Sequence, residues 1–157
     1  MTPKQQSTPD ITEGPDDHSP VETVTHFLNA MQDGDLEAVL ALVADEIVYS
    51  NVSLPTIRGK DRFSRAARAY YRNRLGFQVV VHRIAGSGSS VLTERTDALI
   101  FGPFRTQFWV CGVFEVENGQ VTLWRDYFDW RNTTLATLRG LVGIFIPSLR
   151  AKFSDNR

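Results

Sequence analysis

The sequence predicts an α+β domain, with helices packed on one face of a curved sheet. Three features carry that expectation. Apolar residues in the N-terminal half recur at helical spacing. From Phe77 onward the runs are β-rich. Those later runs are separated by short turn-forming pairs of the kind that close hairpins.

Residues 1–18 are rich in Thr, Pro, Gln and Asp and have no apolar period, so a disordered tail is expected there, with one domain over 19–157. Order is expected to begin at Ser19-Pro20-Val21-Glu22. Ser19 can cap a helix, Pro20 suits its first position and Glu22 can close a capping box. Val21, Val24, Phe27, Leu28 and Met31 make the apolar stripe, and Gly34 stops it. Asp35 caps a second short helix that turns Leu36, Val39, Leu40 and Val43 inward. A strand is expected over 46–51. A helix over 62–75 follows, with Phe63, Ala66, Ala67 and Tyr70 as its packing face and Gly76 as its end. Strands over 77–84, 91–101, 104–117 and 120–129 then form an antiparallel meander. A final amphipathic helix is read over 132–150, broken near Pro147. Its apolar run of Leu135, Leu138, Leu141, Val142, Phe145 and Ile146 suits a packed helix or a lid.

Composition narrows the function. The chain has 157 residues, 42% hydrophobic and 22% charged, as an ordinary globular domain does. A single cysteine, Cys111, excludes an intramolecular disulfide framework. With only three histidines, a dedicated zinc site is not expected. A net charge of −1 gives no reason to expect nucleic acid as a partner. Residues 1–18 lack the apolar core of a signal peptide, and the longest apolar run, 141–149, is too short to span a bilayer. A cytoplasmic protein without metal or cofactor is the expectation.

Side chains at i and i+2 of a strand share a face. Three strands carry chemically capable pairs at that spacing: Tyr49 with Asn51, Arg95 with Asp97, and Trp124 with Asp126. Each alone is compatible with a solvated sheet face; together they matter only if they converge on one pocket. Two carboxylates around one guanidinium carry a charge of −1 when both ionise and zero when they share a proton. An apolar pocket favours the shared proton. A general acid then stands beside a general base, which is what opening an epoxide with water needs: the water loses a proton as it attacks carbon, and the leaving oxygen gains one.

Thr93-Glu94-Arg95-Thr96-Asp97, Gly112-Val113-Phe114 and Trp124-Arg125-Asp126-Tyr127-Phe128-Asp129 together resemble the limonene-1,2-epoxide hydrolases, with Tyr49-Ser50-Asn51 and Leu54-Pro55 matching an upstream element. The similarity runs from the first helix to Asp129. It implies a cystatin-like α+β cone, of the kind used by nuclear transport factor 2 and ketosteroid isomerase, with a strongly curved mixed or antiparallel sheet. It also implies a homodimer and one-step hydrolysis without a covalent intermediate. By resemblance Asp126 is the base, Tyr49 and Asn51 help hold the water, Asp97 is the acid, Arg95 bridges the carboxylates and Trp124 is a pocket wall. The basic helix and the longer apolar C-terminal segment depart from the terpene-acting type. Phe108, Val110 and Phe128 suit a bulky lipophilic epoxide; terpene, sterol and fatty-acyl epoxides all satisfy that.

Two rival functions share the fold: an isomerase or cyclase of the ketosteroid isomerase type, and a non-catalytic binding module. Arg95 beside Asp97 argues against an acid held neutral far above its usual range. Arg58, Lys60, Arg62, Arg65, Arg68, Arg72 and Arg74 are read as a solvated helix face paired with acids elsewhere, His82 as structural, and Cys111 as a small hydrophobe.

Register decides whether the pairs converge. A two-residue loop at Gly102-Pro103 sets Asp97 opposite Phe108. A two-residue turn at Asn118-Gly119 would put Asp126 on the wrong side of the sheet. A three-residue loop over 117–119 with a bulge is therefore expected, setting Val110 opposite Asp126 and Gly112 opposite Trp124, with Trp109, Cys111 and Val113 on the outer face.

Overall fold

The computed structural model describes residues 19–52, 54–73 and 75–146. The expected tail over 1–18 and the end of the final helix beyond 146 lie outside the described residues. Helix α1 (Pro20–Asp33) starts on the expected capping box: Ser19 Oγ accepts from the Glu22 amide, and the Glu22 carboxylate accepts from the Ser19 amide at 2.9 Å. Its buried face is Thr23, Val24, Phe27, Leu28 and Ala30, and Gly34 closes it in the left-handed region at φ 73°. Helix α2 (Leu36–Ala41) is capped by Asp35, whose carboxylate accepts from the Ala38 amide at 3.0 Å.

Helix α3 (Lys60–Arg72) begins two residues before the expected start and ends before Gly76, which belongs to the next strand. Its N-cap is Gly59, which offers no capping side chain and so leaves no local signal of the start. Part of its basic surface meets acids as expected: Arg68 lies 3.5 Å from Glu37 and Lys60 3.9 Å from Asp45, both exposed pairs of small energetic weight. Helix α4 (Trp130–Phe145) also starts two residues early. Asp129, read as the last strand residue, instead turns its carboxylate onto the Arg131 amide at 2.9 Å and caps the helix. No helix among the described residues is long and apolar enough to cross a membrane.

The sheet comprises β1 (Val43–Asn51), β2 (Ile57–Arg58), β3 (Gly76–Ser87), β4 (Ser90–Phe101), β5 (Phe104–Glu117) and β6 (Gln120–Phe128), in the order β2-β1-β6-β5-β4-β3. Strands β3 to β6 form the expected meander, while β1 joins β6 in parallel and makes the sheet mixed. The hydrophobic core lies between α1, α2 and the inner face of the sheet. Phe27, Leu28, Ile47, Phe114 and Val121 are essentially inaccessible there, each stabilising by about 1.5–3 kcal/mol on leaving water.

At the β4–β5 hairpin, Phe101 pairs with Phe104 and Asp97 with Phe108, as predicted. The β5–β6 hairpin departs from expectation. Asn118 and Gly119 take φ values of 50° and 71° and make a two-residue turn, with Glu117 opposite Gln120. The extra residue sits in β6 instead: Val116 pairs with Val121 but Glu115 with Leu123, so Thr122 bulges. That bulge restores the face that the turn would have cost, one residue pair away from the expected alignment. Gly112, not Val110, lies opposite Asp126, and Phe114, not Gly112, lies opposite Trp124. Cys111 pairs with Tyr127, away from the pocket face, as expected. His82 is the extra residue of a bulge in β3 and hydrogen-bonds Thr96 Oγ1 at 2.8 Å.

Candidate active site

On the inner face, Tyr49 on β1 aligns with Trp124 on β6, and Asn51 with Asp126. Asp126 is in turn opposite Gly112 on β5, which is opposite Thr93 on β4. The three polar pairs thus converge on one wall. Arg95 is fully buried, and its Nε donates to both carboxylate oxygens of Asp97, at 2.9 and 3.1 Å. Its Nη1 donates to Thr93 Oγ1 at 3.0 Å, and its Nη2 lies 2.6 Å from Asp126 Oδ2. The Phe114 ring lies under the guanidinium, 5.7 Å from Cζ to centroid. Asp126 Oδ1 is buried, and the Trp124 side chain beside the carboxylate adds to Arg95 in holding its pKa down.

Neighbouring strands are about 4.8 Å apart, so a side chain on β4 can touch one on β6 only by lying flat over β5. Arg95 does this above Gly112. A methyl group at Gly112 would overlap Arg95 Nη1 outright and come within 2.6 Å of Thr93 Oγ1. The glycine is the gap through which the bridge passes.

Burial raises the pKa of Asp97 to about 6; Arg95 opposes the rise and the charge of Asp126 adds to it. Burial likewise raises Asp126 against the pull of Arg95. One proton is thereby kept on the pair toward neutrality. Tyr49 is pushed up to about 12, first by burial and then by the charge of Asp126, so its phenol keeps its proton. Asn51 Nδ2 donates to Tyr49 Oη at 2.8 Å, which leaves the phenolic hydrogen free to donate elsewhere.

Asp97 and Asp126 line a chamber of 310 Å³ together with Tyr49, Asn51, Phe108, Val110 and Phe128. Trp124, expected as a pocket wall, lines an adjoining apolar chamber of 200 Å³ that shares Tyr49, Tyr70 and Leu99 with the first. There it packs on Tyr49 with ring centroids 4.3 Å apart and on Phe27 at 5.2 Å.

The description "Limonene-1,2-epoxide hydrolase catalytic domain" belongs to the family model that matches residues 18–139. The chain belongs to the limonene-1,2-epoxide hydrolase family. It is an epoxide hydrolase of that type, as its relatives agree. It is 53% identical to epoxide hydrolase EphG of Mycobacterium tuberculosis over 82% of this chain and 85% of that one. A solved structure of an M. tuberculosis LEH-like epoxide hydrolase superposes with TM-score 0.84 at 50% identity, covering 90% of this chain and all of that one. An NTF2-like protein of unknown function from Burkholderia pseudomallei, 18% identical, shares the fold alone, with TM-score 0.65 over 75% of this chain and 96% of that one.

Within this member of the limonene-1,2-epoxide hydrolase family, three residues around the bridge, Thr93, Gly112 and Phe114, are part of the motifs that carry the resemblance but were assigned no place in the site from sequence. Thr93 stands two positions before Arg95, so the spacing that paired Arg95 with Asp97 also reaches it. For Gly112 the signal is a glycine inside a long strand, where only a close approach justifies one.

Proposed function

We propose that this epoxide hydrolase works in one step on a lipophilic epoxide, giving a vicinal diol, with Asp126 as base, Asp97 as acid and Arg95 as their bridge. The observation that carries the reading is the buried Asp97–Arg95–Asp126 line on the wall of a largely apolar chamber. Water held by the Tyr49 phenol and Asn51 gives a proton to Asp126 while its oxygen bonds to an epoxide carbon. The carbon–oxygen bond breaks, and Asp97 gives its proton to the departing oxygen. Asp126 ends protonated and Asp97 ionised, and proton exchange after diol release resets the pair. Arg95 offsets one negative charge throughout, so no step leaves two uncompensated charges in the cavity. A homodimer belongs to the same reading, through the outer sheet face where Leu92, Trp109 and Tyr127 are exposed.

The test is diol formation from cyclic and acyclic epoxides, followed by the pH profile of kcat/KM. A bell is expected. Its acid limb reports protonation of Asp126, and its alkaline limb, near the value of about 6 for Asp97, reports loss of the acid's proton. The limbs belong to the coupled pair. Asp97→Asn should abolish the alkaline limb. Rearranged product without incorporated water, or a rate that climbs steadily with pH, would contradict the reading.

A further inference from the structure

Not every polar group in the chamber is used by this chemistry. Thr106 lies on the inner face of β5, two positions from Phe108 and opposite Leu99. It is only 5% exposed, lines the same chamber as the two aspartates, and its Oγ1 has no hydrogen-bond partner among the described residues. The next two residues on that face are Phe108 and Val110, and valine would fill the same volume as Thr106 without stranding a hydroxyl. A buried hydroxyl left unpaired is destabilising, so it calls for a partner from outside the chain. Across the chamber, Thr133 and Thr137 of α4 also line the wall. Their hydroxyl hydrogens are committed to helix carbonyls, Thr133 to Asp129 O at 2.9 Å and Thr137 to Thr133 O at 2.8 Å, so only lone pairs remain for a ligand.

We infer that Thr106 forms a subsite for an oxygen atom on the substrate, a hydroxyl or a carbonyl, separate from the epoxide oxygen. This rests on the proposed hydrolase reading and narrows its substrate class. Thr106 donates to that oxygen. When the oxygen is a hydroxyl, its own hydrogen can pass to Thr133 or Thr137. Two residues of strand put the subsite about 7 Å along β5 from the position facing Asp97. The adjoining chamber, walled by Met31, Val39, Phe63, Ala67 and Phe77, is largely apolar, and the hydroxyls of Tyr70 and Tyr71 on its wall donate to backbone carbonyls. The favoured substrate is therefore an internal epoxide with a hydrocarbon arm toward Trp124 and an oxygen-bearing arm toward Thr106.

The experiment uses three matched epoxides on the full-length protein: a hydrocarbon, its analogue with a hydroxyl on one arm, and its analogue with an ester carbonyl at the same place. Wild type should favour at least one oxygenated analogue by about tenfold in kcat/KM, mostly through KM, as one added hydrogen bond allows. Thr106→Val should bring that ratio close to one, and Thr106→Ser should restore it. A preference for the hydroxyl alone assigns Thr133 or Thr137 as acceptors; a preference for both assigns Thr106 as sole donor. No preference in wild type, or a preference that survives in Thr106→Val, overturns the subsite. Calorimetric binding of the three compounds separates this from the catalytic reading. If no diol forms from any of them yet oxygenated analogues bind through Thr106, the reading of lipophilic epoxides as the substrate fails and the subsite stands.

Discussion

Asp126→Asn and Asp97→Asn are each expected to lower kcat by more than about a hundredfold, the range for losing general acid–base help. The double variant should be little worse than either single one, because attack and protonation occur in one step. Stability should move the other way for Asp97. Its folded pKa of about 6 lies above the ordinary 3.8, so the folded state holds its proton more tightly than the unfolded chain does. Stability therefore falls as pH rises from about 4 to about 6 and stays lower above that, by about 3 kcal/mol. Asn at this position removes the ionisation and leaves Arg95 paired with Asp126 alone. A Tm rise of about 6–12 °C at neutral pH is expected, vanishing near pH 4. Thermal melts beside single-substrate kinetics check both halves. Activity above a tenth of wild type in either single variant would refute the assignment.

Gly112→Ala should be as damaging as the loss of a carboxylate, although residue 112 carries no chemistry. The new methyl takes the place of Arg95 Nη1 and crowds Thr93 Oγ1 and Phe114 Cε2, at 2.6 and 3.0 Å. The guanidinium must leave its line across β5, and its contact with Asp126 goes with it. Uncoupling a buried ion pair costs about 3–5 kcal/mol, so a lower Tm is expected together with a loss of kcat beyond about a hundredfold. General destabilisation alone would leave the pH dependence in place. Losing Arg95 removes the charge that holds both carboxyl pKa values down, so any residual activity should show its alkaline limb moved to higher pH. An alanine variant with kcat within threefold of wild type would show that Arg95 need not pass over this position.

Much of this site could be read along single strands. The period of two located Tyr49 with Asn51, Arg95 with Asp97 and Trp124 with Asp126, because each pair depends only on the pleat. The Gly102-Pro103 hairpin fixed one cross-strand alignment, since its flanking runs have no competing register. Other features depend on partners distant in sequence. Strand β2 is two residues long and exists only as a pairing with β1, so it has no period of its own. The parallel placement of β1 beside β6 has no local signal either. At the β5–β6 hairpin, the requirement that Asp126 share a face with Asp97 gave the correct parity and the wrong device. Asn118-Gly119 kept its usual turn, and the bulge went to Thr122. Nothing about Thr122 in isolation marks it as the residue to be extruded. Trp124 was expected by resemblance as a pocket wall; it lines the apolar chamber adjoining the two aspartates, packed against Phe27, Tyr49 and Phe114.

The central claim is that water attacks the epoxide directly while Asp97 and Asp126 only exchange protons. A single turnover in oxygen-18 water, with enzyme in excess over epoxide, tests it most directly. The account predicts one labelled oxygen in the diol and none in the protein, as read by mass spectrometry of peptides containing Asp97 and Asp126. Label in either aspartate, with unlabelled diol from that first turnover, would mean a carboxylate attacked the ring and formed an ester, contradicting the one-step mechanism.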